Sequence, residues 1–184
     1  MVQGRGVDSS LNETGRNQAK LFHENYHQIP FDKVYSSSLK RTTESITGFI
    51  DQGLAHESLS DLDEISWGSH EGLPYDKQTH GDYLDVVANW ASGNLDVCVG
   101  GGDTPNQVVA RLEKAFKYIL SKNDEQTILI ATHGRTMRIL LCYLLNYDLK
   151  HMDIFKHSNL CLYALEYTGS IFRLSSYNNT THLG

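Results

Sequence analysis

Apolar and polar positions along this chain change rhythm repeatedly, and the changes predict alternating strands and helices. Residues 127–131 form an uncharged run with β-branched residues at both ends of its Ile-Leu-Ile core, the pattern of a strand buried on both faces inside a parallel sheet. Through Thr132, His133 and Gly134 it leads into residues 135–145, apolar nearly all round and therefore a buried helix. Upstream, Val108, Leu112, Ala115, Phe116, Ile119 and Leu120 keep the helical period to about Ser121. That helix has a well-formed start: Thr104 caps, Pro105 takes the first helical position and Gln107 completes a capping box. A modest stripe of Ala19, Leu21, Phe22 and Tyr26 predicts a helix from Asn12 to about Gln28, ended by Pro30. Ile46, Phe49 and Ile50 predict another over residues 39–53, with the hydroxyls of Ser36, Ser37 and Ser38 at its amino end. Residues 76–91 predict one more. Short strands are expected at 33–36 and 59–62, and a hairpin from 159–167 and 170–174 around Thr168-Gly169. The glycine-rich stretches 1–10 and 92–103 predict irregular loops.

Composition narrows the class. At 184 residues, with 40% apolar and 21% charged content, the chain suits one α/β domain with a substantial core. A net charge of −6 offers no basic face for a nucleic acid. No apolar run approaches the roughly 20 residues of a membrane span, and no signal segment opens the chain, so a cytoplasmic location is expected. Cys98, Cys142 and Cys161 are odd in number and widely spaced, which predicts free thiols.

The candidate chemistry gathers around His133. It stands where a buried strand ends and a helix begins, the place where backbone N–H groups face a ligand in an open α/β sheet. Arg135 and Arg138 follow within a turn and suggest an anion; the alternative for His133 is a capping or backbone-satisfied histidine. Arg41, in the first turn of its helix, lies at the wrong end for a cation by the helix dipole, which again suggests an anion beside it. The loop 63–72 carries Asp63, Glu64, Trp67, His70 and Glu71, a density of reactive groups typical of functional loops. One motif points elsewhere: His23-Glu24-Asn25-Tyr26-His27 fits the zinc hydrolase pattern, but its helix is short and polar-flanked, and a solvated helix face is the simpler reading.

Several segments together resemble the histidine phosphatase, or phosphoglycerate mutase-like, superfamily. Gln3-Gly4, Asp8 and Leu11 through Ala19 resemble its Q-G-x-x-D-x-x-L-(T/N)-x-x-G-x-x-Q-A stretch. Ser36 through Thr42 resemble S-S-x-L-x-R-(A/T), and Leu62 through Gly72 resemble L-x-E-x-x-x-G-x-x-E-G. Gly102-Asp103-Thr104 is similar to G-E-S, and Thr132-His133-Gly134 with Arg138 to (S/T)-H-G-x-x-x-R. The resemblance covers nearly the whole chain in order. It implies a three-layer α/β/α fold, a single domain with a mostly parallel central sheet and a C-terminal hairpin at one edge. It also implies phosphate monoester chemistry through a phosphohistidine, nearer a phosphatase than a mutase, with no cofactor or metal. Carried over, Arg41 becomes a phosphate ligand, Glu64 the proton donor to the leaving alcohol and His133 the second active-site histidine, with Glu71, Thr104 and Arg138 in support. A guanidinium and an imidazolium suit the charge on a phosphoryl group in transfer. His70 stands where the family commonly has an aromatic residue.

The family's nucleophilic histidine lies in an R-H-G motif at the end of its first strand, and no such motif occurs here. The chain is therefore expected to be an N-terminally incomplete domain and nearly inactive, the full-length form being the enzyme; a phospho-ligand-binding protein without turnover is the alternative. An absent interior strand leaves a sheet edge open, which predicts either that two copies associate across it or that residues 1–10 rearrange to close it, the dimer being favoured.

Overall fold

The computed structural model describes residues 1–184. Helix α1 (Glu13–Tyr26) starts where the Asn12 side chain accepts the Gly15 N–H. Strand β1 (Lys33–Ser36) follows, then α2 (Lys40–Ser45), α3 (Thr47–Asp51) and β2 (His56–Ser58). After a loop come α4 (Lys77–Ala91), α5 (Pro105–Ile119), β3 (Ile128–Ala131), α6 (Gly134–Leu145) and the hairpin β4 (Leu162–Tyr167) and β5 (Phe172–Asn179). The Thr104–Gln107 capping box and Pro105 open α5, and Asp76 with Thr79 forms a second box on α4.

The central sheet is parallel in the order β2-β1-β3, with Val34 beside His56 and Leu129. Alternation along its strands separates two cores. Tyr35, Ile128 and Ile130 face α5 and α6, within a cluster holding Leu62, Ile65, Trp67, Trp90, Leu112, Ile139 and Met152. Val34 and Leu129 face Phe22 of α1 with Ile46 and Phe49. This gives the three layers that the family resemblance implies.

Four expectations change. The helix over residues 39–53 is two pieces, because Ile46 leaves helical geometry (φ −115°, ψ 8°). Ser45 Oγ and Thr47 Oγ1 donate back to the carbonyls of Arg41 and Thr43, the competition that weakens hydroxyl-rich helices. The strand expected at 59–62 is a 3-10 turn, and the strand lies earlier at His56–Ser58. Its polar side chains hid it, since they are satisfied by β1 and the residue after it: His56 Nε2 meets Ser36 Oγ at 2.8 Å, Lys33 donates to Glu57 at 2.6 Å and Ser58 Oγ donates to the Ser37 carbonyl. Strand β3, at the open sheet edge that the sequence predicts, is less buried than its apolar run implies, with Leu129 alone buried. The hairpin is a separate two-stranded sheet, with no ladder joining β4 to β3. Its Tyr163, Leu165 and Phe172 nevertheless pack on the larger core and Leu162 on the smaller, so it continues both faces beyond β3. Residues 1–10 form an irregular loop along the 71–73 turn, where the backbones of Val2, Gly72 and Leu73 exchange hydrogen bonds; they do not extend the sheet.

Candidate active site

His133 caps α6 in extended geometry and is only 8% exposed. Its Nδ1 accepts from Arg41 Nε at 3.2 Å, and its Nε2 lies 2.7 Å from Ser37 Oγ. A guanidinium N–H can only donate, so Nδ1 carries no proton and Nε2–H donates to Ser37. Ser37 in turn bonds Thr42 Oγ1 at 2.8 Å, and Thr42 donates to the Leu39 carbonyl. Burial first, then the Arg41 charge, lowers the His133 pKa to about 4, against a partial pull upward from Glu64. The ring is thus a neutral imidazole near pH 7, not the imidazolium expected from the sequence.

Arg41 is brought to His133 by the β1–α2 turn and is half-buried. Its Nη1 donates to the Val7 carbonyl at 2.6 Å and its Nη2 to the Gly4 carbonyl at 3.3 Å. The opening loop therefore straps the guanidinium. Glu71 holds the strap, accepting from Gly6 N–H at 2.7 Å and Trp67 N–H at 2.8 Å. A Cβ on Gly4 would lie 2.1 Å from Glu71 Oε1, so the close approach requires glycine there.

Glu64, 9% exposed, occupies the amino end of α6. Its Oε1 accepts from Ile65 N–H and Thr136 N–H, both at 2.9 Å, and from Thr136 Oγ1 at 3.0 Å; its Oε2 accepts from Arg135 N–H at 3.2 Å. The carboxylate fills the anion seat of the helix itself. To protonate a leaving alcohol it must turn away from these donors. The same segment is anchored by Asp63, which accepts from Ser38 N–H at 2.7 Å and from Ser38 Oγ.

The remaining candidates scatter. Arg135 points away from His133: Nη1 donates to Asp153 at 2.7 Å, Nη2 to Tyr83 Oη at 2.6 Å, and its guanidinium lies over Trp90. Arg138 donates to the Phe155 carbonyl and pairs with Asp153 at 3.5 Å. Neither arginine of that turn faces an anion site, which corrects the sequence expectation. Thr104 caps α5 and nothing more. His23 and His27 sit 5.5 Å apart, but His23 packs edge-on against Phe49, His27 Nδ1 lies against the carbonyls of its own turn, and no third His, Cys, Asp or Glu joins them.

Sequence reasoning missed three contributors. Ser37 bonds the Leu39 N–H as a capping hydroxyl would and reaches His133 as well, and the hydroxyl run just before Arg41 is the sequence signal for it. Arg111 is 9% exposed, donates to the Asp61 carbonyl at 2.6 Å and leaves Nε unpartnered; its place between Val108 and Leu112 on the inward stripe was readable. The His157 ring lies against Gly134, where an added Cβ would meet it at 3.1 Å, and nothing in its polar stretch signalled this.

Comparison with known proteins places the fold in a family. The chain is 25% identical over 179 residues to phosphoserine phosphatase 1 of Hydrogenobacter thermophilus, covering 97% of this chain and 84% of the relative. It is 30% identical over 143 residues to phosphoglycerate mutase-like protein 4 of Arabidopsis thaliana, covering 76% and 61%. Its fold superposes on mycobacterial glucosyl-3-phosphoglycerate phosphatase in complex with inorganic phosphate with a TM-score of 0.84 at 21% identity, over 100% of this chain and 93% of that one. The model of the histidine phosphatase superfamily (branch 1) matches residues 1–180. With the three-layer fold and an arginine–histidine pair at the strand ends, this match establishes that the chain belongs to the histidine phosphatase superfamily.

Proposed function

We propose that Arg41 and His133 bind the phosphoryl group of a small phosphate monoester or inorganic phosphate, in a site of phosphatase rather than mutase type, and that Glu64 is its proton donor. The observation that carries this is the 3.2 Å bond from Arg41 Nε to His133 Nδ1, which joins a fixed cation to an imidazole at the mouth of a parallel sheet. Both are tied to elements, so a phosphoryl group meets a preorganised pair once the strap carbonyls of Gly4 and Val7 yield their bonds to Arg41. Named phosphatases among the relatives support the phosphatase reading.

A phosphohistidine requires an imidazole nitrogen with an open lone pair in line with the leaving oxygen. Both nitrogens of His133 are engaged, so His133 is assigned to charge stabilisation, not attack. The remaining groups bind and protonate without forming a covalent bond to phosphorus, and little or no turnover by this chain is expected.

Titration calorimetry with inorganic phosphate tests the reading. Arg41→Ala is expected to weaken binding ~10-fold or more, the loss of a charge-assisted pair, while Glu64→Gln changes affinity less than ~2-fold. Phosphate binding indifferent to Arg41 would remove the site. Steady hydrolysis of p-nitrophenyl phosphate by the wild-type chain would remove the expectation of low turnover. If hydrolysis of an alkyl phosphate, whose alkoxide needs a proton to leave, also survived Glu64→Gln, the acid assignment would go too.

A further inference from the structure

The segment between α6 and β4 brings one more histidine to the site. His157 lays its ring on Gly134, the residue between His133 and the Arg135 N–H that donates to Glu64. A Cβ on that glycine would meet His157 Nδ1 and Cε1 at 3.1 Å and Cδ2 at 3.2 Å. Nearly equal distances to three sides of the ring mean that its face is presented to Gly134, with both nitrogens at the rim. Neither nitrogen is bonded within the protein, whose hydrogen bonds here run through the neighbouring residues instead. The Phe155 carbonyl accepts from Arg138 Nε at 2.8 Å, the Lys156 carbonyl accepts from Tyr163 Oη at 2.6 Å, and the Lys156 N–H donates to Tyr177 Oη at 3.0 Å. Beyond the histidine, the Ser158 carbonyl accepts from the Cys161 N–H at 3.1 Å. An exposed imidazole is thus carried on a backbone that is fixed on both sides.

Little positive charge is free to meet an anion here. Glu64 acts on Arg41 as its first counter-charge, and Arg135 and Arg138 are paired with Asp153. Arg111, the other arginine that His133 senses, is buried and gives Nη1 to the Asp61 carbonyl. A dianion arriving at Arg41 therefore brings an excess of negative charge. His133 can answer it only by protonating Nδ1, which would expel the Arg41 N–H. His157 can gain a proton and break nothing. Desolvation against the protein, then the charge of Arg138, lowers its pKa; Glu64 pulls the other way and Arg135 adds to the lowering, so the ring is neutral near pH 7. A charge on His157 is in turn felt at His133.

We propose that His157 is a further ligand of the phosphate site, one that holds a dianion as an imidazolium and so couples binding to the uptake of a proton. The inference rests on the reading of Arg41 and His133 as that site. The proton comes from solvent, to which the ring is open, and the N–H it forms donates to a phosphoryl oxygen. The contribution of His157 to affinity then grows as pH falls, because the protonated ring binds the anion more tightly than the neutral one.

Imidazole C–H signals in NMR spectra test this without any turnover, those of His157 being identified by their loss in His157→Gln. The substitution falls on an exposed ring, so the variant keeps the fold. Saturating inorganic phosphate is expected to raise the His157 titration midpoint by ~1 pH unit, as a facing opposite charge does. By linkage, the ratio of wild-type to His157→Gln phosphate affinity, close to one at about pH 8, is expected to grow by up to ~10-fold at about pH 5. Taking the ratio cancels the titration of phosphate itself. Phosphate binding that leaves both the midpoint and the ratio unmoved would overturn the role of His157 and keep Arg41 and His133. A wild-type chain that binds no phosphate would remove the phosphate site and His157 with it.

Discussion

His133 shows how much one residue's state depends on its neighbours. Neutral imidazole is required by the Arg41 Nε–H that points at Nδ1, and burial holds the folded pKa at about 4 against 6.5 for a free ring. A group with a depressed folded pKa binds fewer protons folded than unfolded between those values, so for a base such as histidine stability rises with pH across the window and is lost on acidification. The chain is therefore expected to lose ~3 kcal/mol from this site as pH falls from 6.5 to about 4. His157, His56 and His182, also lowered by burial, add in the same direction. Urea unfolding across this range should show the loss, and His133→Gln should flatten it. An unchanged slope in that variant would mean that His133 titrates normally in the folded protein.

At the scale of elements, helix starts do much of the positioning. The amino end of α6 holds Glu64, its cap residue is His133, and the turn into α2 delivers Arg41. The α4 start also matters, since Tyr83 in its second turn accepts from Arg135. Asp76 Oδ1 accepts the N–H groups of Gln78 at 3.0 Å and Thr79 at 2.9 Å. Asp76→Ala is expected to destabilise the chain by ~1 kcal/mol, as N-cap losses do, and Asp76→Asn to retain most of it. Chemical denaturation of the three proteins checks this. Equal stability of all three would show that tertiary packing alone holds α4.

For the whole molecule, the split sheet is the dominant feature. Strand β3 pairs with β1 on one side only, and the hairpin stands beyond it without a ladder. Unpaired backbone groups at such an edge, backed by half-buried Ile128 and Ile130, favour pairing with another chain. The chain is accordingly expected to sediment as a dimer in a concentration series. A wild-type chain that stays monomeric at high concentration would show that the edge is tolerated as it stands. No helix is long and apolar enough to cross a membrane.

Local pattern alone determined the β3–His133–α6 unit, the Thr104–Gln107 capping box and the family, because hydrophobic period and short motifs are properties of neighbouring residues. Motif order likewise marked Arg41 and Glu64. Other features depend on residues far apart in the chain: Ser37 meets His133 across 96 positions, and Glu64 meets Thr136 across 72. The polar strand β2 was hidden for the same reason, since its side chains are satisfied only once β1 lies beside it. Only the tertiary structure decided that Arg135 turns to Asp153 and that the strap engages Arg41. Each follows from which partner lies within hydrogen-bonding reach after folding, a quantity that periodicity and spacing do not carry.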